Sequence, residues 1–112
     1  DNTSGLLVAV VVMVEVVLLV EQAVLEEAVH SLKGEPHVID IRNIGLMAAV
    51  ELAPVQGAVG KRGYDAFLKA YEAGVYIRLA GDVLAFSPPL IAEPQQIETM
   101  VETLRKVLRS LD

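Results

Sequence analysis

The stretch PQQIETMVETLRKVLRSL, from Pro94 to Leu111, constrains this chain more than any other. Its apolar residues Ile97, Met100, Val101, Leu104, Val107, Leu108 and Leu111 recur every three or four positions, which gathers them on one side of an α-helix and on no single face of a strand. Pro94 suits a first helical position, where its missing N–H leaves no bond unmade. A helix with one oily side needs a layer to cover it, so the rest of the chain has to supply that layer.

Strand patterns supply it. HVIDIRNIGLMAAVELAP sets Ile39 and Ile41 against Asp40 and Arg42, passes Gly45 and resumes an apolar run up to Pro54, which predicts two strands. VQGAVGKRG is a loop by its glycines. YDAFLKAYEAG places Tyr64, Phe67, Leu68 and Tyr71 on one helical face and stops at Gly74. Val75–Leu79 and Val83–Phe86 predict two more strands around a Gly81-Asp82 turn, and Pro88-Pro89 ends the second by removing ladder donors. Upstream, EVVLLVEQAVLEEAVHSLK from Glu15 to Lys33 is crowded with helix formers in its second half and ends at Gly34. The valines before it favour strands intrinsically but do not alternate, and one long helix beginning near Ser4 is the expectation. The predicted order is α-β-β-α-β-β-α, an α+β fold with a four-stranded, largely antiparallel sheet packed with helices. Residues 1–112 read as one small domain, divided into a helical apolar segment over 4–33 and the domain proper over 34–112.

Size and composition narrow the function. A chain of 112 residues can bury a core but is too short for the two-domain architecture of most cofactor-dependent enzymes. Its hydrophobic content of 54% exceeds what so small an interior hides, and predicts a docking face. The net charge of −6 gives no basic footprint, so neither nucleic acid nor an anionic membrane is an expected partner. The chain has no cysteine, which excludes disulfides and thiolate chemistry and allows an intracellular home. The start at Asp1, in DNTSG, carries neither an initiator methionine nor a basic leader, and looks like the start of a piece. The run LLVAVVVMVEVVLLV from Leu6 to Val20 carries Glu15 near its middle and falls short of the roughly 20 residues that cross a bilayer. It reads as a buried or interface segment.

Several residues invite a chemical reading. Asp40 and Arg42 share the polar face of a strand, as alternation alone would place them. His30 near a helix end and His37 in a Gly-Glu-Pro-His turn lack the companions of a metal site or a catalytic triad. GAVGKRG offers glycines and Lys61 ahead of a helix, but its spacing is not that of a phosphate loop and no Ser or Thr follows the lysine. Lys33, Lys61, Lys69 and Lys106 sit at helix ends or on polar helix faces, so none reads as a desolvated amine tuned for Schiff-base chemistry. Arg78 stands apart. In VYIRLA, alternation sends Val75, Ile77 and Leu79 to one side and Tyr76 and Arg78 to the other. An aromatic beside a planar five-donor cation makes a good carboxylate receptor, while a charge on an exposed strand face is the plainer explanation.

The segments HSLKGEPHVIDIRNIGLMAAVELAP, GKRGYDAFLKAYEAGVYIRLAGDVLAFSPPLI and QIETMVETLRKVL closely resemble the C-terminal small domain of class III, fold-type I aminotransferases, which use pyridoxal phosphate. The nearest subgroup is the omega-amino acid:pyruvate (β-alanine:pyruvate) type, and the similarity is collinear from about His30 to the end. In that family the arginine of the VR-x-x-GD segment lies at the mouth of the active site, binds the substrate carboxylate, and swings aside for amines that lack one. The matching residue is Arg78. The resemblance implies a cytoplasmic, homodimeric enzyme whose Schiff-base lysine, pyridine-nitrogen aspartate and phosphate-binding residues belong to a large domain, and no segment here matches them. On that reading this chain holds a substrate-binding residue, with no catalytic, cofactor-binding or metal residue, and does not transaminate alone. The Val-rich N-terminal stretch fits the family least well. It motivates a second expectation, an engineered or excised stand-alone α/β module, without enzymatic activity, that self-associates through that helix.

Overall fold

The stripe of the C-terminal helix is buried in a core shared with two other helices and a four-stranded antiparallel sheet. A computed structural model of the protein describes residues 2–88 and 93–112. The elements are α1 (Asn2–His30), β1 (Val38–Ile44), β2 (Met47–Leu52), α2 (Lys61–Glu72), β3 (Arg78–Ala80), β4 (Val83–Phe86) and α3 (Pro94–Arg109). The strands lie in the order β1-β2-β4-β3, and each neighbouring pair is antiparallel. The α+β class and the element order are those predicted. Of the Pro88-Pro89 strand stop, Pro89 lies outside the described residues.

α1 packs on β1 and β2 and α2 on β3 and β4, and α3 packs against these two helices. Val50 pairs with Leu84 and Ala48 with Phe86, and these four join Leu25 and Val29 of α1, Ala66 and Ala70 of α2, and Ile97, Val101, Leu104 and Leu108 of α3 in one buried core. Burying a Leu or Val side chain contributes about 1.5–3 kcal/mol, so the α3 stripe is a principal tie of the fold. The sheet face opposite this core is left uncovered by the helices. One row of side chains crosses it from edge to edge: Arg42 of β1 pairs with Ala49, Ala49 with Ala85, and Ala85 with Arg78.

Three boundaries and one strand register differ from the predictions. α1 ends at His30 because Leu32 and Lys33 donate to Val29 and His30 three residues back, tightening the chain into a turn that closes at Gly34 with φ +92°. In β1 a bulge between Val38 and Asp40 turns Val38 and Ile41 to the core and leaves Ile39 exposed, so Ile39 and Ile41 do not share a side. β3 begins at Arg78, not Val75, because the Val75 N–H is drawn to the Ala70 carbonyl at 2.8 Å, where Gly74 at φ +86° closes α2. α2 begins at Lys61, ahead of the predicted Tyr64. Its buried side is made of Gly63, Ala66 and Ala70, with Tyr64, Leu68 and Tyr71 exposed, since only small residues let the helix approach the sheet closely.

The N-terminal run departs most from expectation. It is helical, as predicted, but the large apolar residues from Leu6 to Val20 other than the half-buried Leu18 are exposed, not buried, and α1 first enters the core at Glu21, Leu25 and Val29. The protruding half gives the molecule its extent of 66 × 21 × 21 Å. By length and composition alone α1 could cross a bilayer.

Candidate functional site

Arg78 is the first residue of an edge strand. Its position follows from α2, which fixes the segment before it and the turn after it. Before it, the glycine-closed end of α2 leads directly into Val75 and Tyr76. The Tyr76 ring rests on Tyr71 of α2 at 5.2 Å between centroids, tilted by 56°, a geometry aromatic pairs favour. Ile77 is then buried and Arg78 exposed, the alternation predicted for this segment. The guanidinium borders a cleft of about 520 Å³, whose walls include Met47, Tyr76, Ala85, Phe86 and Ser87. A largely apolar cleft with one guanidinium on its rim suits a small organic anion.

Every other arginine has partners. Arg42 lies 3.7 Å from Asp40 and 3.5 Å from Glu51. Arg62 donates to the carbonyls of Ala53 and Asp112. Arg105 and Arg109 grip the Glu35 carboxylate at 2.8 and 2.9 Å, and Arg105 also reaches the carbonyl and hydroxyl of Ser31. The hydrogen bond from Arg109, then that from Arg105, holds the Glu35 carboxyl at about 2. Among the described residues Arg78 has no hydrogen-bond or ion-pair partner. Its five donors remain free for a ligand.

The remaining candidates resolve into structural roles. Asp40 and Arg42 form part of an exposed ion-pair group with Glu51, a solvated strand face. His30 donates from Nε2 to Asn43 Oδ1 at 2.6 Å, tying the end of α1 to β1. His37 occupies left-handed backbone at φ 70°, and its carbonyl accepts from Ala53 at 2.7 Å. No cluster of three or more metal-ligating side chains occurs among the described residues.

The glycine loop before α2 proves to have its own anion. Asp82, 8% exposed, accepts from the Gly60 and Gly63 amides at 2.9 Å each. Those are the free N–H groups at the start of α2 that a phosphate would need. The lysines fit a Schiff-base role no better. Lys61 is raised above its usual value, chiefly by its hydrogen bond to Asp65 at 2.8 Å, and Lys69 is engaged with Ser110. Lys33 and Lys106 are exposed, and none of the four has the desolvated environment that lowers a catalytic lysine.

The sequence marks Gly81-Asp82 only as a turn, because a helix cap supplied by Asp82 from a distant segment leaves no local signature. The Glu35 clamp was missed for the same reason: its arginines lie some 70 positions away on α3.

The family model for aminotransferase class-III matches residues 13–108. The chain is 46% identical over 87 residues to an omega-aminotransferase of Caulobacter vibrioides, covering 78% of this chain and 20% of that protein. It is 38% identical to an omega-amino acid–pyruvate aminotransferase of Pseudomonas putida over 77% of this chain and 19% of the relative. Among solved structures, a transaminase with L-alanine superposes with a TM-score of 0.80 at 30% identity, covering 95% of this chain and 26% of its own. The omega-transaminase of Pseudomonas jessenii in complex with PMP superposes at 0.75 and 34% identity, over 82% of this chain and 22% of its own. The chain thus spans about a fifth of the length of the curated relatives it matches.

Proposed function

The chain belongs to the class-III aminotransferase family, and from that premise we propose that it is the small-domain portion of a pyridoxal-phosphate-dependent enzyme moving an amino group from an amine or omega-amino acid to pyruvate, with Arg78 as the carboxylate receptor. The observation that carries this reading is the unpartnered guanidinium at the rim of an apolar cleft. A guanidinium offers a carboxylate two parallel N–H donors, which fixes orientation as well as charge. Tyr76, braced on Tyr71, forms one wall beside it, and the alanine row leaves the floor open. Without a partner acid, Arg78 can also withdraw into solvent when an uncharged substrate fills the cleft. The remainder of the enzyme brings the lysine and the cofactor contacts, and this chain alone does not transaminate.

The test is kinetic and uses a full-length enzyme carrying this segment. Arg78→Gln lowers kcat/KM for pyruvate on the order of a hundredfold, while a simple aldehyde acceptor, which has no carboxylate, changes by no more than about twofold. Equal losses for the two acceptors, or no loss, would overturn the receptor role.

The bare half of α1 favours a second reading, a stand-alone module that self-associates through this helix without enzymatic activity. A contiguous apolar surface of that kind seeks cover. Sedimentation of the 112-residue chain distinguishes them: a concentration-dependent dimer or larger species supports self-association, and a monomer at high concentration counts against it.

A further inference from the structure

We propose that Asp82 is the positioning residue for Arg78, a role that rests on Arg78 being the carboxylate receptor. β3 is three residues long and lies at the sheet edge, where a short hairpin is only marginally stable by itself. Its pairing runs from Arg78↔Ala85 to Ala80↔Val83, and the turn beyond that pairing is Gly81-Asp82. The Asp82 carboxylate takes the Gly60 amide on one oxygen and the Gly63 amide on the other, both at 2.9 Å, so the turn is bound to the first turn of α2. The Asp82 carbonyl meanwhile accepts from Leu52 at 2.8 Å, binding the same turn to the end of β2. A carboxylate at a helix N-terminus is favoured by both the free N–H groups and the helix dipole.

Close packing makes the latch specific. A Cβ at Gly63 would fall on the Gly81 carbonyl oxygen and 2.8 Å from Asp82 Cα, so only a glycine lets helix and turn meet at this distance. The other end of the segment is held to the same helix, through Val75 N–H to the Ala70 carbonyl and the Tyr76 ring on Tyr71. Both flanks of Arg78 are therefore clamped to α2 while its side chain is left without a partner. A fixed backbone beneath a free guanidinium is what a receptor needs if it is to be aimed at a carboxylate and still able to withdraw.

The test compares Asp82→Asn, Arg78→Gln and the double variant in a full-length enzyme carrying this segment. Asn keeps one acceptor oxygen and loses the charge, so the turn loosens without being removed. For pyruvate, Asp82→Asn raises KM and lowers kcat/KM on the order of tenfold, with a carboxylate-free aldehyde within about twofold. In the Arg78→Gln background it adds no further loss, because the residue it positions is gone. An Asp82→Asn loss equal for the two acceptors marks a merely structural role and overturns the proposal. So does no loss for pyruvate when Arg78→Gln alone shows one, in which case the receptor reading stands without the positioning residue. If Arg78→Gln itself is silent, the receptor reading fails and the positioning role goes with it. Should Asp82→Asn not fold, hydrogen exchange of the unaltered enzyme decides: Gly60 and Gly63 amides exchanging together with the β3–β4 ladder support the latch, and exchange more than about tenfold faster than the ladder overturns it.

Discussion

Arg42 and Arg78 stand at opposite ends of one row on the open face of the sheet, roughly 14 Å apart across three strand spacings, with Ala49 and Ala85 between them. Position in the sheet does not distinguish them; their neighbours do. Arg42 has Asp40 on its own strand and Glu51 on the next, so its charge is answered within the fold. Arg78 has Tyr76 two residues ahead of it, just outside the strand, and alanine across from it, so among the described residues no acid answers its charge. Charged side chains on a strand face are ordinary, and what separates a structural arginine from a receptor is whether the fold supplies the anion. The α3 arginines mark the far end of that scale. Arg105 and Arg109 share one carboxylate and hold α3 to the turn after α1.

That contrast can be broken at each arginine. The largest effect on folding is expected at the Glu35 clamp. The Glu35 carboxyl sits at about 2, below its ordinary 4.5, because Arg109 and then Arg105 donate hydrogen bonds to its charged form. A carboxylate depressed on folding contributes stability that is complete above pH 4.5 and is lost as pH falls through about 2. Glu35→Gln should therefore lower the thermal midpoint at neutral pH, and the difference from the parent should shrink through that window. Thermal melts at a series of pH values check this, and curves that stay parallel from pH 5 to 2 would show that the clamp does not stabilise the fold. The smallest effect is expected at Arg42. Its pairs are exposed and longer than 3 Å, so Arg42→Gln should cost no more than about 1 kcal/mol by denaturant titration. A larger loss would place Arg42 with the α3 clamp and blur the distinction from Arg78.

What could be read from the sequence was whatever repeats at short range. The α3 stripe, the four strands and the alternation that exposes Tyr76 and Arg78 all follow from periods of about 3.6 or 2 residues, and the structure has them. The misses are places where a distant segment decides. Of the face Tyr64, Phe67, Leu68 and Tyr71 predicted for α2, only Phe67 packs against the core, because Gly63 against Gly81 sets how near the helix comes, and that puts the small residues inside. The bulge after Val38 reverses Ile39 without changing its composition. Arg78 itself was visible as a candidate, whereas Asp82, which ties its turn to α2, shows only as a turn residue until Gly60 and Gly63 are brought beside it. The apolar run of α1 was legible as a helix, but its exposure depends on what surrounds it.

The most direct measurement of the central claim separates carboxylate binding from chemistry. Propionate carries the carboxylate of pyruvate but no carbonyl to react, so its competitive inhibition constant against pyruvate, in a full-length enzyme carrying this segment, reports recognition alone. Lysine keeps the charge and loses the two-pronged geometry, so Arg78→Lys is expected to raise that constant by about tenfold, with Arg42→Lys leaving it unchanged. An unchanged constant in Arg78→Lys, or an equal rise in both variants, would contradict the assignment of Arg78 as the carboxylate receptor.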